Sequence, residues 1–196
     1  KRPVFYKTSD GGERAIIQVG GGVKLSYLAK YTARHGLKGI EALVGVPGSI
    51  GGAVVMNAGA EGTEIGQVVR SVKRITPDGE VETLNRDEMT FTYRKTTFPS
   101  EGGIVIETEL DLEKGETADI HRAMDNHLSR RSSTQPLTMP NSGSIFKNPV
   151  DNSAGRLIES VGLKGYRIGG AGVSIKHANF IVNKGNASAE DVIRLI

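Results

Sequence analysis

At 196 residues, with a hydrophobic fraction of 37% and a charged fraction of 24%, the chain can bury a core as one large domain or two small ones. The absence of cysteine excludes disulfides and thiolate metal sites and agrees with a reducing compartment, and no apolar run approaches the roughly 20 residues of a membrane-spanning helix. The net charge of +3 is carried wholly by residues 116–196, where 10 Lys+Arg face 7 Asp+Glu, so that part is expected to meet an anion such as a phosphorylated small molecule; with aromatics at 5% and no dense basic run, neither nucleic acid nor membrane is an expected partner.

In chain order, residues 15–19 predict a short strand, closed by Gly20, Gly21 and Gly22. Residues 25–35 predict a helix with Leu25, Leu28, Ala29 and Thr32 on one face, and Gly36 stands where a left-handed residue ends it. Residues 45–62, GVPGSIGGAVVMNAGAEG, hold six glycines and no lysine, arginine or histidine. Such a loop lets backbone approach a ligand closely, and free N–H groups of Gly48, Ser49, Gly51 and Gly52 would suit a cofactor diphosphate. The same string also reads as tight turns joining buried strands, with residues 53–56 as a buried apolar run. Strands over 71–76 and 80–84 flank Pro77, Asp78 and Gly79, a hairpin signal. Asn85 and Glu88 predict an N-cap and its N3 partner at a short helix. Residues 104–110 predict a strand with Ile104, Ile106, Thr108 and Leu110 on one face.

A domain boundary is expected at 114–115, where hydrophobic pattern and charge balance both change. Residues 117–131 then predict a helix with Ile120, Met124 and Leu128 on one face and Arg130 and Arg131 at its negative end. A proline-bearing loop over 132–140, a helix over 154–161 stopped by Gly162, and a strand over 180–182 follow. The last helix is capped by Ser188, with Asp191 at N3. Its apolar stripe runs to Ile196, and Lys1 is not an initiator methionine, so the chain is expected to be a piece of a longer protein.

Three further strings carry chemistry. Residues 141–149, NSGSIFKNP, gather hydroxyls, amides and one ammonium around Gly143. With no histidine inside the string to activate Ser144, a triad nucleophile is not supported; a proton-donating serine, a substrate-binding one and a plain polar turn all remain open. Tyr93 and Arg94, between Phe91 and Phe98, read either as a stacked surface pair or as a cation held inside a site. Residues 177–183, HANFIVN, follow a glycine-rich turn. The four histidines, His35, His121, His127 and His177, show no metal spacing, and no metal is expected.

Residues 39–65 (GIEALVGVPGSIGGAVVMNAGAEGTEI), 91–98 (FTYRKTTF), 141–149, 154–174 (AGRLIESVGLKGYRIGGAGVS) and 176–192 (KHANFIVNKGNASAEDV) together resemble, in order over almost the whole chain, the UDP-N-acetylenolpyruvoylglucosamine reductase family, flavoenzymes of peptidoglycan precursor synthesis. The resemblance implies an α+β fold: residues 1–114 as the second part of a two-part FAD-binding domain of the vanillyl-alcohol-oxidase-like type, and residues 115–196 as a small, truncated α+β substrate-binding domain. It implies a cytoplasmic monomer that uses NADPH and FAD to reduce UDP-N-acetylglucosamine enolpyruvate to UDP-N-acetylmuramate. Gly45, Pro47, Gly48, Ser49, Gly51, Gly52, Asn57, Ala58 and Gly59 would lie along the flavin. Ser144 would donate the proton and Arg94 would stabilise the developing negative charge. Tyr93, Lys147, Asn148, Lys176 and His177 would meet substrate, and Arg130 and Arg131 its diphosphate.

The same resemblance marks departures. A first flavin subdomain would precede Lys1, and a catalytic glutamate would follow Ile196; Glu159 and Glu190 do not take that role. The short span between Ile104 and Asn141 matches the branch without a substrate-gating tyrosine. The chain as it stands is expected to be inactive. Two alternatives stay open: a non-catalytic UDP-sugar-binding module without flavin, and a different flavin oxidase on the same scaffold.

Overall fold

The structure, a computed structural model, describes residues 4–8, 12–97 and 102–196; Phe98 of the aromatic string lies outside them. It divides into two compact units between Leu128 and Ser129. The boundary expected at 114–115 falls earlier, at the end of a strand.

The first unit contains β1 (Val4–Thr8), β2 (Arg14–Gly20), α1 (Leu25–Arg34), β3 (Leu37–Lys38), α2 (Ile50–Val55), β4 (Gly59–Ala60), β5 (Thr63–Glu64), β6 (Val69–Ile75), β7 (Val81–Asn85), β8 (Thr90–Thr92), β9 (Lys95–Thr97) and β10 (Ile104–Lys114). An antiparallel sheet runs β1-β2-β10-β6-β7, with β3 added beside the end of β10. The hairpin β6–β7 turns at Pro77, Asp78 and Gly79, as its sequence predicts, because Gly79 supplies the positive φ of 86°. Asn85 and Glu88 form the expected capping box, around a single 3₁₀ turn over Arg86–Glu88.

α1 buries Leu25, Leu28, Ala29 and Thr32, the predicted face, together with Ala33. Burial of each leucine contributes about 1.5–3 kcal/mol. Gly36, at φ 64°, ends the helix as expected.

β10 departs from its predicted phase. Val105, Thr108, Leu110 and Leu112 are buried, whereas Ile104 is 69% exposed. A register shift between Val105 and Glu107 inserts one residue and switches the inward side from odd to even positions. At this bulge the Gly21 N–H donates to Ile106 O at 2.7 Å.

α3 (Thr117–Thr134) crosses the division between the units. It buries Ile120 and Met124 in the first unit's core, while Leu128 is exposed. Residues 132–134, expected in the loop, continue the helix through hydroxyl bonds to main chain, Ser133 and Thr134 both reaching Arg130 O at 2.8 Å.

The second unit adds β11 (Asn141–Ser144), α4 (Ala154–Ser160), β12 (Arg167–Ile168), β13 (Ala171–Val173), β14 (Phe180–Asn183) and α5 (Ala189–Leu195). Its sheet runs β11-β14-β13-β12, antiparallel throughout. Ser188 caps α5, and hydrogen bonds from the Ser188 and Gly170 N–H groups hold the Asp191 carboxyl below its ordinary range. No helix of the described residues is long and apolar enough to cross a membrane.

Candidate active site

In the first unit the middle of the glycine-rich segment, Ile50–Val55, is a short helix, with irregular chain and turns on either side. Ser49 caps α2, its Oγ accepting from Gly52 N at 3.3 Å. Gly51 N donates to Gly21 O at 2.8 Å, and Ile50 N to Val23 O at 2.8 Å. Two of the four N–H groups expected to be free for phosphate are therefore engaged by the fold, and Gly51 is buried as well. The apolar run 53–56 is also only half inward. Ala53 and Val54 are buried, but Val55 and Met56 are 39% and 50% exposed.

The exposed side of α2 consequently presents Gly52, Val55 and Met56 at helical spacing, and exposed Pro47 and Gly48 lead into it. Among the described residues nothing lies within 4 Å of a Cβ position built on Gly48. This strip is apolar, open and nearly bare of side chains. A flat aromatic ring system such as an isoalloxazine fits against it, since the glycines admit close approach and Val55 and Met56 offer apolar contact.

Asn57 ends this segment in the left-handed region, at φ 42°, and is completely buried. Its Nδ2 donates to Glu64 Oε2 at 2.6 Å and to Thr92 O at 2.9 Å, and its Oδ1 accepts from Gly66 N at 3.0 Å. Expected along a cofactor, Asn57 instead has its side chain committed to holding the end of α2, the β5 carboxylate and the β8–β9 hairpin together. Thr96 adds a bond to Val54 O. The turn that bears Tyr93 and Arg94 is thus fastened to α2.

Arg94 occupies that turn at φ 55°. Its Nη2 donates to Gly59 O at 2.7 Å, its Nη1 lies 3.7 Å from Glu64 Oε1, and its Cζ sits 4.9 Å from the Tyr93 ring centroid. Of the two readings of this pair, the geometry supports a cation held by the fold as well as stacked on a ring.

In the second unit Ser144 is the last residue of β11, opposite Phe180 of β14. Asn141 steadies the strand's start, donating to Met139 O at 2.8 Å and accepting from Gly143 N at 3.0 Å. Asn179 holds the far side, accepting from Phe146 N at 2.9 Å and donating to Phe146 O at 2.8 Å. Between these anchors the Ser144 hydroxyl is exposed and has no hydrogen-bond partner among the described residues. Lys147 is exposed, and Asn148 Oδ1 accepts from Ala154 N at 3.0 Å, at the start of α4.

His177 packs edge-on against Phe180, 4.8 Å between ring centres, and its Nδ1 accepts from Asn179 N at 3.3 Å. Burial pushes its pKa down, and the charge of Lys164 adds to the effect. Lys176 Nζ donates to Ser132 O. A cavity of about 500 Å³ is lined by Lys176, Arg167 and Lys184 with Ser174 and Met139, and no acid among the described residues stands in its wall. Arg130 is exposed, and half-buried Arg131 has its pKa lowered by desolvation.

Residues 135–196 match the family profile described as UDP-N-acetylenolpyruvoylglucosamine reductase, C-terminal domain, and residues 8–85 match that of an FAD binding domain. UDP-N-acetylenolpyruvoylglucosamine reductase of Halalkalibacterium halodurans is 46% identical over 180 residues, which is 92% of this chain and 60% of the relative. The protein of that name in Bacillus subtilis is 44% identical over 181 residues, 92% of this chain and 60% of the relative. The crystal structure of UDP-N-acetylenolpyruvylglucosamine reductase from Thermus caldophilus superposes with a TM-score of 0.84 at 42% identity, covering 91% of this chain and 65% of that one.

The chain belongs to the UDP-N-acetylenolpyruvoylglucosamine reductase family. It spans about 60% of the length of the curated relatives it matches. The α+β class inferred from the sequence holds in both parts of this family member, an FAD-binding domain match followed by the family's C-terminal domain.

Sequence reasoning missed Glu64, Arg167 and Lys184. Glu64 becomes visible only when β5, α2 and the β8–β9 turn are assembled. Arg167 and Lys184 signalled themselves only as part of the basic excess after residue 115. One pH effect follows from His177. Its folded-state pKa is depressed, so the unfolded chain takes up the proton first, and stability is lost as pH falls through the ordinary histidine range near 6.5. Thermal melts at pH 7.5 and pH 5.5 should show a smaller drop for His177→Gln than for the unsubstituted family member. Equal drops would remove His177 as the source.

Proposed function

We propose that the protein is an FAD-dependent oxidoreductase that takes electrons from NADPH and reduces UDP-N-acetylglucosamine enolpyruvate to UDP-N-acetylmuramate. That reaction is a step in peptidoglycan synthesis, hence in cell shape and division, and we place it in the cytoplasm, in a monomer without nucleic-acid or membrane partners. The observation that carries this reading is the exposed apolar side of α2, with Gly48 open before it and a turn that holds Arg94 fastened to it. The match of residues 8–85 to an FAD binding domain weighs against the flavin-free alternative.

Pro47, Gly48, Gly52 and the adjoining Gly45, Ser49, Ala58 and Gly59 would hold the flavin. Bound FAD, once reduced by NADPH, would supply a hydride to one carbon of the enolpyruvyl double bond, which would leave negative charge on the substrate's neighbouring carbon and carboxylate. The Arg94 guanidinium, already oriented by Gly59 and Glu64, stabilises that charge; loss of one such preorganised donor costs about 10²–10³ in rate. Ser144 Oγ–H gives its proton to the carbanionic carbon. A carbanion is a far stronger base than water, so even a weak hydroxyl acid has driving force for the transfer. The exposed serine oxygen then recovers a proton from solvent.

Lys176, with Arg167 and Lys184 around the same cavity, supports an anionic ligand for the second unit. Tyr93, Lys147, Asn148, His177, Arg130 and Arg131 complete the proposed substrate contacts. His177 in its neutral form offers a hydrogen bond rather than a charge.

The full-length protein that carries this chain, purified and reconstituted with FAD, is expected to show flavin absorbance. NADPH should bleach it without oxygen, and UDP-N-acetylglucosamine enolpyruvate should restore it with formation of UDP-N-acetylmuramate. A protein that stays colourless after reconstitution would overturn the reading.

A further inference from the structure

We propose that Glu64 is the positioning residue for Arg94, an inference that rests on the role given to Arg94 above. The carboxylate does not hang from a mobile surface chain. β4 and β5 pair Gly59 with Glu64, which sets the Glu64 backbone directly opposite the carbonyl that binds Arg94 Nη2. One carboxylate oxygen accepts from Asn57 Nδ2 at 2.6 Å, and Asn57 is itself buried and fixed at Thr92 O and Gly66 N. The other oxygen faces Arg94 Nη1 at 3.7 Å.

This division of labour is specific. The short hydrogen bond goes to a neutral amide, which immobilises the carboxylate. The longer contact to the guanidinium is an ion pair without a short hydrogen bond, so it orients the cation without drawing a proton-donating edge fully onto itself.

Gly59 is where the two side chains cross. A Cβ there would lie 2.8 Å from Glu64 Cγ and 2.9 Å from Arg94 Nη1, closer than real Cβ atoms come. Arg94 holds a left-handed backbone that a side-chain-bearing residue rarely keeps without support. Carboxylate, carbonyl and backbone turn together specify one placement of the guanidinium.

The test separates the two half-reactions by stopped flow in the full-length, FAD-loaded protein. Glu64→Gln keeps the size of the side chain and an acceptor for Asn57 but removes the charge facing Arg94. It is expected to leave flavin reduction by NADPH within twofold and to slow flavin reoxidation by UDP-N-acetylglucosamine enolpyruvate about tenfold. In an Arg94→Ala background the same change should alter reoxidation less than twofold, because the positioned group is gone. Glu64→Asp, which retains the charge, should keep more of the rate than Glu64→Gln, and it replaces Glu64→Gln throughout if that variant does not fold. Unchanged reoxidation in Glu64→Gln, or an equal loss with and without Arg94, overturns the positioning role. If Arg94→Ala alone reoxidises at the unsubstituted rate, the role of Arg94 fails first and this inference with it.

Discussion

Replacing Ser144 with Ala should slow reoxidation of the reduced flavin by substrate about 10²–10⁴-fold, the range for removal of a positioned proton donor, while NADPH reduces the flavin at close to the unsubstituted rate. The change deletes one oxygen. That oxygen is exposed and has no partner among the described residues, so its loss leaves no buried donor or acceptor unsatisfied. The strand around it is held by main-chain pairing to Phe180 and by the amides of Asn141 and Asn179, none of which involves the hydroxyl. Stability should therefore change by less than about 0.5 kcal/mol. A kinetic defect confined to one half-reaction, in a protein that melts normally, is what separates a proton donor from a structural residue. Ser144→Cys should recover part of the rate, since a thiol is the stronger acid. Reoxidation of Ser144→Ala at the unsubstituted rate would dismiss the serine as donor.

Gly21→Ala should lower stability by about 3 kcal/mol. In a chain of this size that corresponds to a fall in the thermal midpoint of roughly 6–12 °C. An alanine Cβ would lie 2.2 Å from Val105 O and 3.0 Å from Val105 C, and these are backbone atoms of a strand paired on both sides. No side chain can swing away to make room, so β2, β10 or both must shift. Gly21 also donates to Ile106 O at the β10 bulge and accepts from Gly51 N of α2. Displacement there reaches the strip assigned to the flavin, and the variant should also release FAD more readily on dialysis. A melt that matches the unsubstituted protein would show that the approach of the two strands is looser than described.

The contrast between these sites shows what the chain states openly. The α1 stripe, the β6–β7 hairpin and the Ser188–Asp191 cap were legible because each is decided within a few residues: an apolar spacing, a turn glycine, a hydroxyl three residues before a carboxylate. The phase of β10 was not, because a bulge at Ile106 depends on what Gly21 brings against it from across the sheet. The glycine segment announced close approach to a ligand. Which glycines turn inward was settled by Gly21 and Val23, more than twenty residues upstream of Gly51. The resemblance placed Asn57 along the flavin, whereas its side-chain bonds to Glu64, Thr92 and Gly66 show only in the assembled fold. The roles of Ser144 and Arg94 came from family resemblance. What the fold adds is that one is an uncommitted hydroxyl and the other a cation whose place is fixed.

The position of β10 in the sheet bears on how the first unit assembles during synthesis. It sits between β2 and β6, yet it is the last strand of that sheet to leave the ribosome. Until residue 114 has emerged, β2 and β6 each lack a neighbour along one edge, and their apolar sides wait uncovered. The hairpin β6–β7 can form early from nearby residues, but closure of the sheet requires pairing across about 90 residues, which is slow because the chain's freedom is given up before the contacts are gained. Nascent chains halted before that point would expose those unpaired edges to other chains for longest.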